Sequence, residues 1–504
     1  MSTAAAASSA ASVPPPASDM VHRDFPGWLP PMLVKELRQG LRTRGFVGML
    51  VVFQVVMLVV MFGALSEQTT AAGAMRAATS SSTSGVFWTI MFVQLILLTP
   101  MRAIGGLQQE VDSRTLDLLM LTRLNAWGVV LGKWISLVAQ TLLLVCTMLP
   151  YLVVRYFTDN ADILGDLARC LAMVGVSAVL AAAGLWGSGL GKAMRIVLMI
   201  VMVWGLMALG GAFGSRMFGM GFAPVRGGGM SVLNSPIQIF DAALITAFFL
   251  VSAVRNIAPL AENHSLFIRS LPVLALLPVP FIALSGSNAL ANQQLLAGGL
   301  LLTLVLIFEF ASTRIPMAVQ WRHWRARGPR FAWFGRALLP GWQSAFVFGV
   351  VVAAGWALLA LGLIGGVSSY GQTLHLAWLA PLLFTALLFP AVLRSYVPFR
   401  GSDLLFYFAT LVLMAGLTLV GFWLAAPPLR FDLMKYLMQV VPVGSFLSAL
   451  DPSPLSRNAP GDIAILLRSV VALLILILAW RQSRPYWRIL AGYDARERME
   501  SPKS

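Results

Sequence analysis

The sequence predicts an all-α fold: a polytopic α-helical membrane bundle of about twelve transmembrane helices. Three observations carry that prediction. Of 504 residues, 58% are hydrophobic and only 11% are charged, whereas a soluble domain has about a quarter of its residues charged. Mean hydropathy is +0.80. Apolar runs of the roughly 20 residues that a helix needs to cross a bilayer recur along the chain, without the ~10-residue alternating segments of an outer-membrane barrel.

Apolar windows place the spans at 46–65, 86–103, 129–153, 167–190, 195–213, 237–254, 271–289, 295–312, 343–366, 375–393, 404–424 and 462–480. Prolines interrupt the runs at 271–289 and 375–393, and losing either span would invert the topology of everything after it. The formal charge of +16 comes from short basic clusters at the ends of apolar runs. Topology explains that scatter better than nucleic-acid binding does, and no nucleic-acid partner is expected. Most lysines and arginines fall in segments that an inside N-terminus places in the cytosol. The positive-inside rule therefore predicts a multi-pass protein of the inner (plasma) membrane with both termini cytosolic.

Residues 1–30 are rich in Ala, Ser and Pro and lack the basic start and leucine-rich core of a signal peptide. They are expected to form a disordered cytosolic tail, or to precede a true start at Met20. Residues 31–265 read as a first six-helix domain, 266–490 as a second six-helix bundle and 491–504 as a cytosolic tail. A six-plus-six architectural repeat is suggested by the largest inside loops, which lie between spans two and three and between spans eight and nine. Long outside connectors beginning at Ser215 and Ala425 also precede the last span of each half.

Before the first span, "PMLVKELRQGLRTRGF" has the pattern of an amphipathic basic helix. Met32, Leu33, Leu37 and Leu41 can face acyl chains while Lys35, Arg38, Arg42 and Arg44 reach headgroup phosphates. It reads as an elbow at the membrane surface, or more simply as a positive flank.

Between spans two and three, Asp112 and Ser113 can cap a short helix that begins at Arg114 and ends near Asn125. Leu116, Leu119, Met120 and Leu124 share one face, while Leu118 and Leu121 point away from it. One face can rest on the bundle. The other, rimmed by Glu110, Asp112, Arg114 and Asp117, needs a cover, which is either a partner or the chain's own bundle.

"KELRQGLRTRGF" before span one, "QEVDSRTLDLLMLTRL" after span two and "GVVLGKW" opening span three together resemble the transmembrane subunits of ABC-2-type transporters over roughly the first 150 residues. Glu110, Thr115, Leu116, Asp117, Leu118, Leu119, Thr122, Gly132 and Lys133 carry the match, and Lys35, Glu36, Arg38, Arg42 and Arg44 fall in its elbow helix. "RNIAPLAENHS", Arg255 to Ser265, is similar to the family's cytosolic segment after the sixth span. The resemblance implies that 109–124 is a coupling helix seated in a separate ABC-type ATPase subunit, which would hold ATP and magnesium. It also implies that the outside connectors are external re-entrant segments. This chain itself is expected to bind no cofactor and not to be an enzyme. "GSGLGKAM" from Gly187 and "GVVLGKW" from Gly128 lack the glycine spacing and the Ser or Thr of a phosphate-binding loop.

The equivalent loop of the second half departs from that pattern. "TRIPMAVQWRHWRARGPRFAWFGR", from Thr313, has no acid and interleaves arginine with Trp321, Trp324 and Trp333. It reads as an interfacial belt for anionic headgroups, or as a degenerate coupling contact. A second copy of the chain or another permease is then expected to complete a transporter.

Within the spans, Gln54, Gln94 and Gln140 are candidates for the pathway, although neutral amides there more often make interhelical hydrogen bonds worth about 1 kcal/mol each. Glu309 is a carboxylate well inside a span, close to its cytosolic end and to Arg314. Proton or cation coupling and pairing with arginine are both open to it. Asp159, Asp162 and Asp166 read as solvating an outside connector, and Cys146 and Cys170 as buried apolar filler. No cluster of acids, histidines or cysteines marks a catalytic or metal site. The alternative to a permease is a membrane scaffold or secondary transporter with no ATPase partner.

Overall fold

A computed structural model describes residues 31–69, 80–106, 125–159, 162–192, 194–196, 199–200, 236–259, 262–312, 314–364, 383–397, 402–425 and 461–500. Every regular element among them is helical. Nine helical segments are long and apolar enough to cross a membrane: Arg44–Gly63, Val86–Ile104, Ala126–Phe157, Ile163–Ser188, Pro236–Ile257, Ser265–Leu284, Leu290–Phe310, Trp342–Leu361 and Asp403–Val420. These account for nine of the twelve expected spans among the described residues. Most of 195–213 lies outside them, as do the tail 1–30 and both long outside connectors. Of the tenth expected span, 375–393, the described part is the apolar helix Leu383–Arg394. The twelfth lies inside a 40-residue helix, Gly461–Glu500, that continues through 491–500.

The first helix, α1 (Pro31–Arg42), is separated from α2 (Arg44–Thr69) at Thr43. The Thr43 hydroxyl donates to the Gly40 carbonyl at 2.8 Å, closing α1 just as α2 begins. On α2 the buried residues are Phe46, Phe53, Met57 and Met61, whereas Val51, Val52, Val55 and Val59 are exposed. Both faces are apolar, because one meets other helices and the other meets lipid.

The second span is interrupted. It runs through α3 (Ser80–Phe92), a π-helical turn at Val93–Leu98 and α4 (Thr99–Ile104). Pro100 has no N–H to return to the preceding turn. The Thr99 backbone N–H instead reaches back to the Gln94 carbonyl, and the Thr99 hydroxyl donates to the same oxygen at 2.9 Å. The wider turn satisfies the backbone that proline disrupts.

The third span is α5 (Ala126–Asp159) and the fourth is α6 (Ile163–Ser188). Asp162 caps α6 by accepting from the Leu164 N–H at 3.1 Å. These helices and α2 to α4 enclose one core, which includes Phe53, Met57, Phe87, Met91, Leu144 and Met173.

Next come α7 (Pro236–Ile257), the broken pair α8 (Ser265–Leu276) and α9 (Pro278–Leu284), and α10 (Asn288–Phe310). Prolines 272 and 278 break this span without abolishing it. At one end of the bundle Asn256 of α7 donates to the Trp186 carbonyl of α6 at 3.5 Å. The Trp186 ring meets Phe308 of α10 edge-on, with centroids 4.5 Å apart. Hence α6, α7 and α10 finish together. Because α1 lies at the same end, it is called here the elbow end.

Two short helices, α11 (Ala318–Arg325) and α12 (Pro329–Leu338), precede α13 (Trp342–Ile364). They are followed by α14 (Leu383–Arg394), α15 (Asp403–Ala425) and α16 (Gly461–Glu500). A second large core joins α10 and α13 to α16 through Phe310, Phe346, Phe384, Leu388, Tyr407 and Ile475. Packing also crosses position 265: Leu244, Phe248 and Val251 share a core with Ile268, Leu301 and Val305.

Candidate functional site

Three polar assemblies stand out from this apolar framework. The first fastens the elbow. Lys133 Nζ meets Glu36 Oε1 at 3.0 Å, with both side chains largely buried. Gly40, one turn beyond Glu36, faces Gln140, and a Cβ there would come within 2.3 Å of Gln140 Nε2. A side chain in its place would have to displace the Gln140 amide. Leu33 is buried, while Lys35, Arg38, Arg42 and Arg44 are exposed. Glu36, which carries the only acid of the predicted elbow, turns inward instead.

The second assembly lies where the two halves meet at the elbow end. Glu309 is fully buried on the last turn of α10. Arg255 of α7 binds one of its oxygens through Nη1. Arg269 of α8 binds the other through Nε at 3.0 Å and again through Nη2. The remaining donors of Arg269 are directed to the Ala337 carbonyl at 2.5 Å, Ser344 Oγ at 3.0 Å and the Gly341 carbonyl at 3.3 Å. All five N–H groups of a guanidinium in an apolar core thus find acceptors. Arg255 Nη2 donates to Ser312 Oγ at 3.0 Å.

Two formal positive charges thus enclose one negative charge. Removing such charges from water costs several kcal/mol per ion, so the assembly persists only while each is paired. Gly341 is integral to it. Its φ is +119°, and a Cβ would stand 2.8 Å from the Arg314 carbonyl. Arg314, the partner expected for Glu309, instead donates to the Arg255 carbonyl at 3.3 Å. Burial holds the Arg314 guanidinium below its ordinary pKa. His264, beside this junction, is likewise pushed down by burial, against the opposing pull of Glu262.

The third assembly lies at the opposite end. Asp166 is buried and accepts from Arg155 Nη1 and Arg169 Nη1, each at 2.8 Å. Arg155 lies over the rings of Phe87 and Trp88, and Arg169 lies over Trp88. The expectation that the three aspartates solvate a connector fails for Asp166, which is an interior counter-ion; Asp162 is exposed and caps α6.

The predicted pathway amides are separated by their surroundings. Gln54 Nε2 donates to the Thr147 carbonyl at 3.5 Å, which is an interhelical contact. Gln94 is buried in the π-turn, with its Nε2 lacking a partner. Gln140 is buried and donates to Ser136 Oγ at 3.3 Å. The predicted coupling helix, with Glu110, Asp112, Arg114, Thr115, Leu116, Asp117, Leu118, Leu119 and Thr122, lies outside the described residues. Described residues resume at Asn125, and Ala126, Val129 and Val130 are buried.

Two further readings change. Cys170 is buried, but Cys146 is exposed and fills no core. The loop after Thr313 is not simply a belt facing headgroups. Trp321 is buried against Leu339, Tyr486 and Leu490, and its indole N–H donates to Asp494 at 2.7 Å. Arg325 pairs with the same aspartate, and Tyr493 donates to the Pro316 carbonyl at 3.2 Å. The C-terminal part of α16 is therefore the loop's seat. Arg269 was missed because it precedes the apolar window at 271–289. The available signal was an isolated arginine in "SLFIRSLPVLALL", with apolar residues on both sides of it.

Among the described residues no group of three or more His, Cys, Asp or Glu could hold a metal. Taken together, these features define an all-α, multi-pass membrane protein. Comparison with protein-family models, curated proteins and solved structures found no match for the chain.

Proposed function

We propose that the chain is the transmembrane subunit of an ABC-2-type transporter, with both termini in the cytosol. A separate ATPase binds at the elbow end and drives substrate outward across the inner membrane. The observation that carries this reading is the Glu36–Lys133 bridge. It joins two of the three sequence elements that resemble the family, the elbow and the start of span three. The third element, 109–124, is tethered between α4 and α5, whose neighbouring ends are firmly packed. Ala103, Ile104 and Val130 are buried, and a Cβ on Gly184 would come within 2.9 Å of the Pro100 carbonyl. A push on a segment held between two such helices is transmitted as rigid-body movement of spans two and three.

Nucleotide and magnesium belong to the ATPase. The second half has no equivalent of the coupling motif, and its corresponding loop is folded onto α16, so a second copy or another permease supplies the other contact. The test is to purify the chain with an ABC-type ATPase encoded beside it. Native protein should associate and stimulate ATP turnover, while Glu110→Ala and Leu119→Asp should weaken both by at least severalfold. Unchanged association and turnover in both variants would overturn the proposal.

A further inference from the structure

A cavity of about 640 Å³ opens in the second half, where α8, α12, α13 and α16 meet. Its volume is within the range of small-molecule sites. Its shape and chemistry are graded along the bundle. On α16 the lining runs from Trp480 to Asp494, a distance of about 21 Å at 1.5 Å per residue. At the span side the walls are Val273, Val351, Val352 and Trp480; at the elbow end they include Trp487 and Arg336. Phe334, Val351 and Trp480 are more than half exposed, so the cleft is open to its surroundings along its length.

Asp494 is the single acid in the lining, and Trp321 and Arg325 already engage it. Arg336, the one arginine in the lining, is exposed. An elongated apolar cleft flanked by tryptophans, with an exposed guanidinium group at one end, matches a molecule with a long hydrocarbon part and a negative head. A second copy of this chain would have to bring acids to that mouth.

We infer that this cleft binds a glycerophospholipid with an anionic headgroup, one acyl chain lying along α16 between Val351 and Trp480 and the phosphate at Arg336. The site is independent of the ATPase reading, since it lies in the half that lacks the coupling motif. Arg336 gives selectivity for charge, and the valine wall gives affinity for the chain.

The test is native mass spectrometry of the full chain, delipidated in detergent and titrated separately with phosphatidylglycerol and phosphatidylcholine. Phosphatidylglycerol should bind about tenfold more tightly. Arg336→Gln should remove most of that preference, and Arg336→Lys should largely retain it. Val351→Trp, which fills the cleft, should weaken both lipids. Thermal melting of each variant separates lost binding from lost folding; a Val351→Trp protein that fails to fold is replaced by Val351→Phe. Equal binding of the two lipids, or a preference indifferent to both Arg336→Gln and the filled cleft, overturns the inference. So does a cleft occupied by a second copy of the chain, seen as a dimer that Val351 substitution dissociates.

Discussion

The Glu309 and Asp166 clasps have the same composition, one carboxylate between two arginines, at opposite ends of the molecule. They are built on different scales. Asp166 is bound by arginines 11 and 3 residues away, all from the adjoining ends of α5 and α6. Arg169 remains 36% exposed there, and aromatic faces cover much of the remaining cationic surface. Glu309 is bound by arginines 54 and 40 residues away, and the same network collects carbonyls and a hydroxyl from 337–344. One clasp secures a hairpin; the other joins the halves of the chain. The difference teaches that an intramembrane carboxylate flanked by arginine is not one kind of feature. Its consequence depends on how many independent elements need it and on whether water can replace it.

This contrast is most directly broken by Glu309→Ala. It leaves two guanidinium groups facing each other without a counter-ion, and removing one partner of a buried ion pair costs about 3–5 kcal/mol. Thermal melting in detergent should fall steeply or the protein should fail to accumulate. Combining Glu309→Ala with Arg269→Met should recover part of the loss, since the fully buried stranded charge is removed. Gly341→Ala comes next, costing about 1–3 kcal/mol through its left-handed backbone and displacing a carbonyl that Arg269 uses. Asp166→Asn should cost less than Glu309→Ala, because Arg169 can turn to water; limited proteolysis should be enhanced near 159–163 with little change elsewhere.

A smaller effect is expected from Lys133→Met. Loss of the bridge should free α1, raising amide exchange across Pro31–Arg42 while the melting temperature changes little. The smallest effect concerns pH. Burial lowers the His264 pKa, so the folded protein disfavours its protonation relative to the unfolded chain, whose histidine titrates near 6.5. Stability should therefore be unaffected above that pH and decline as pH falls through it toward the lower folded value. The difference in melting temperature between native protein and His264→Gln, followed from pH 7.5 to 5.5, isolates this contribution.

Much of the framework was legible because the length of an apolar run is a direct physical requirement of the bilayer. Glu309 was legible for a related reason: a carboxylate within such a run demands a partner. The partner's identity was not legible. Arg269 lay just outside a window defined by hydropathy, and Arg314 was nearer in sequence but is used elsewhere. Hydropathy also cannot separate residues facing lipid from residues facing protein, which is why Cys146 passed for core. The π-turn had a visible cause in Pro100, but its register is set by Thr99 and Gln94 acting together. Trp321 was read from its company of arginines. Its actual environment is made by Asp494, some 170 residues later, and no local pattern announces that meeting.

The length of α16 has a consequence for the shape of the elbow end. Tyr486 is level with the entrance to α13, where it donates to the Pro340 carbonyl at 3.1 Å. The helix continues to Glu500, about 21 Å farther at 1.5 Å per residue. Among the described residues, the second half therefore carries a post that stands beyond the entrance to α13. A soluble body approaching the second half must stand off from that post or pass beside it, before any particular side chain is recognised.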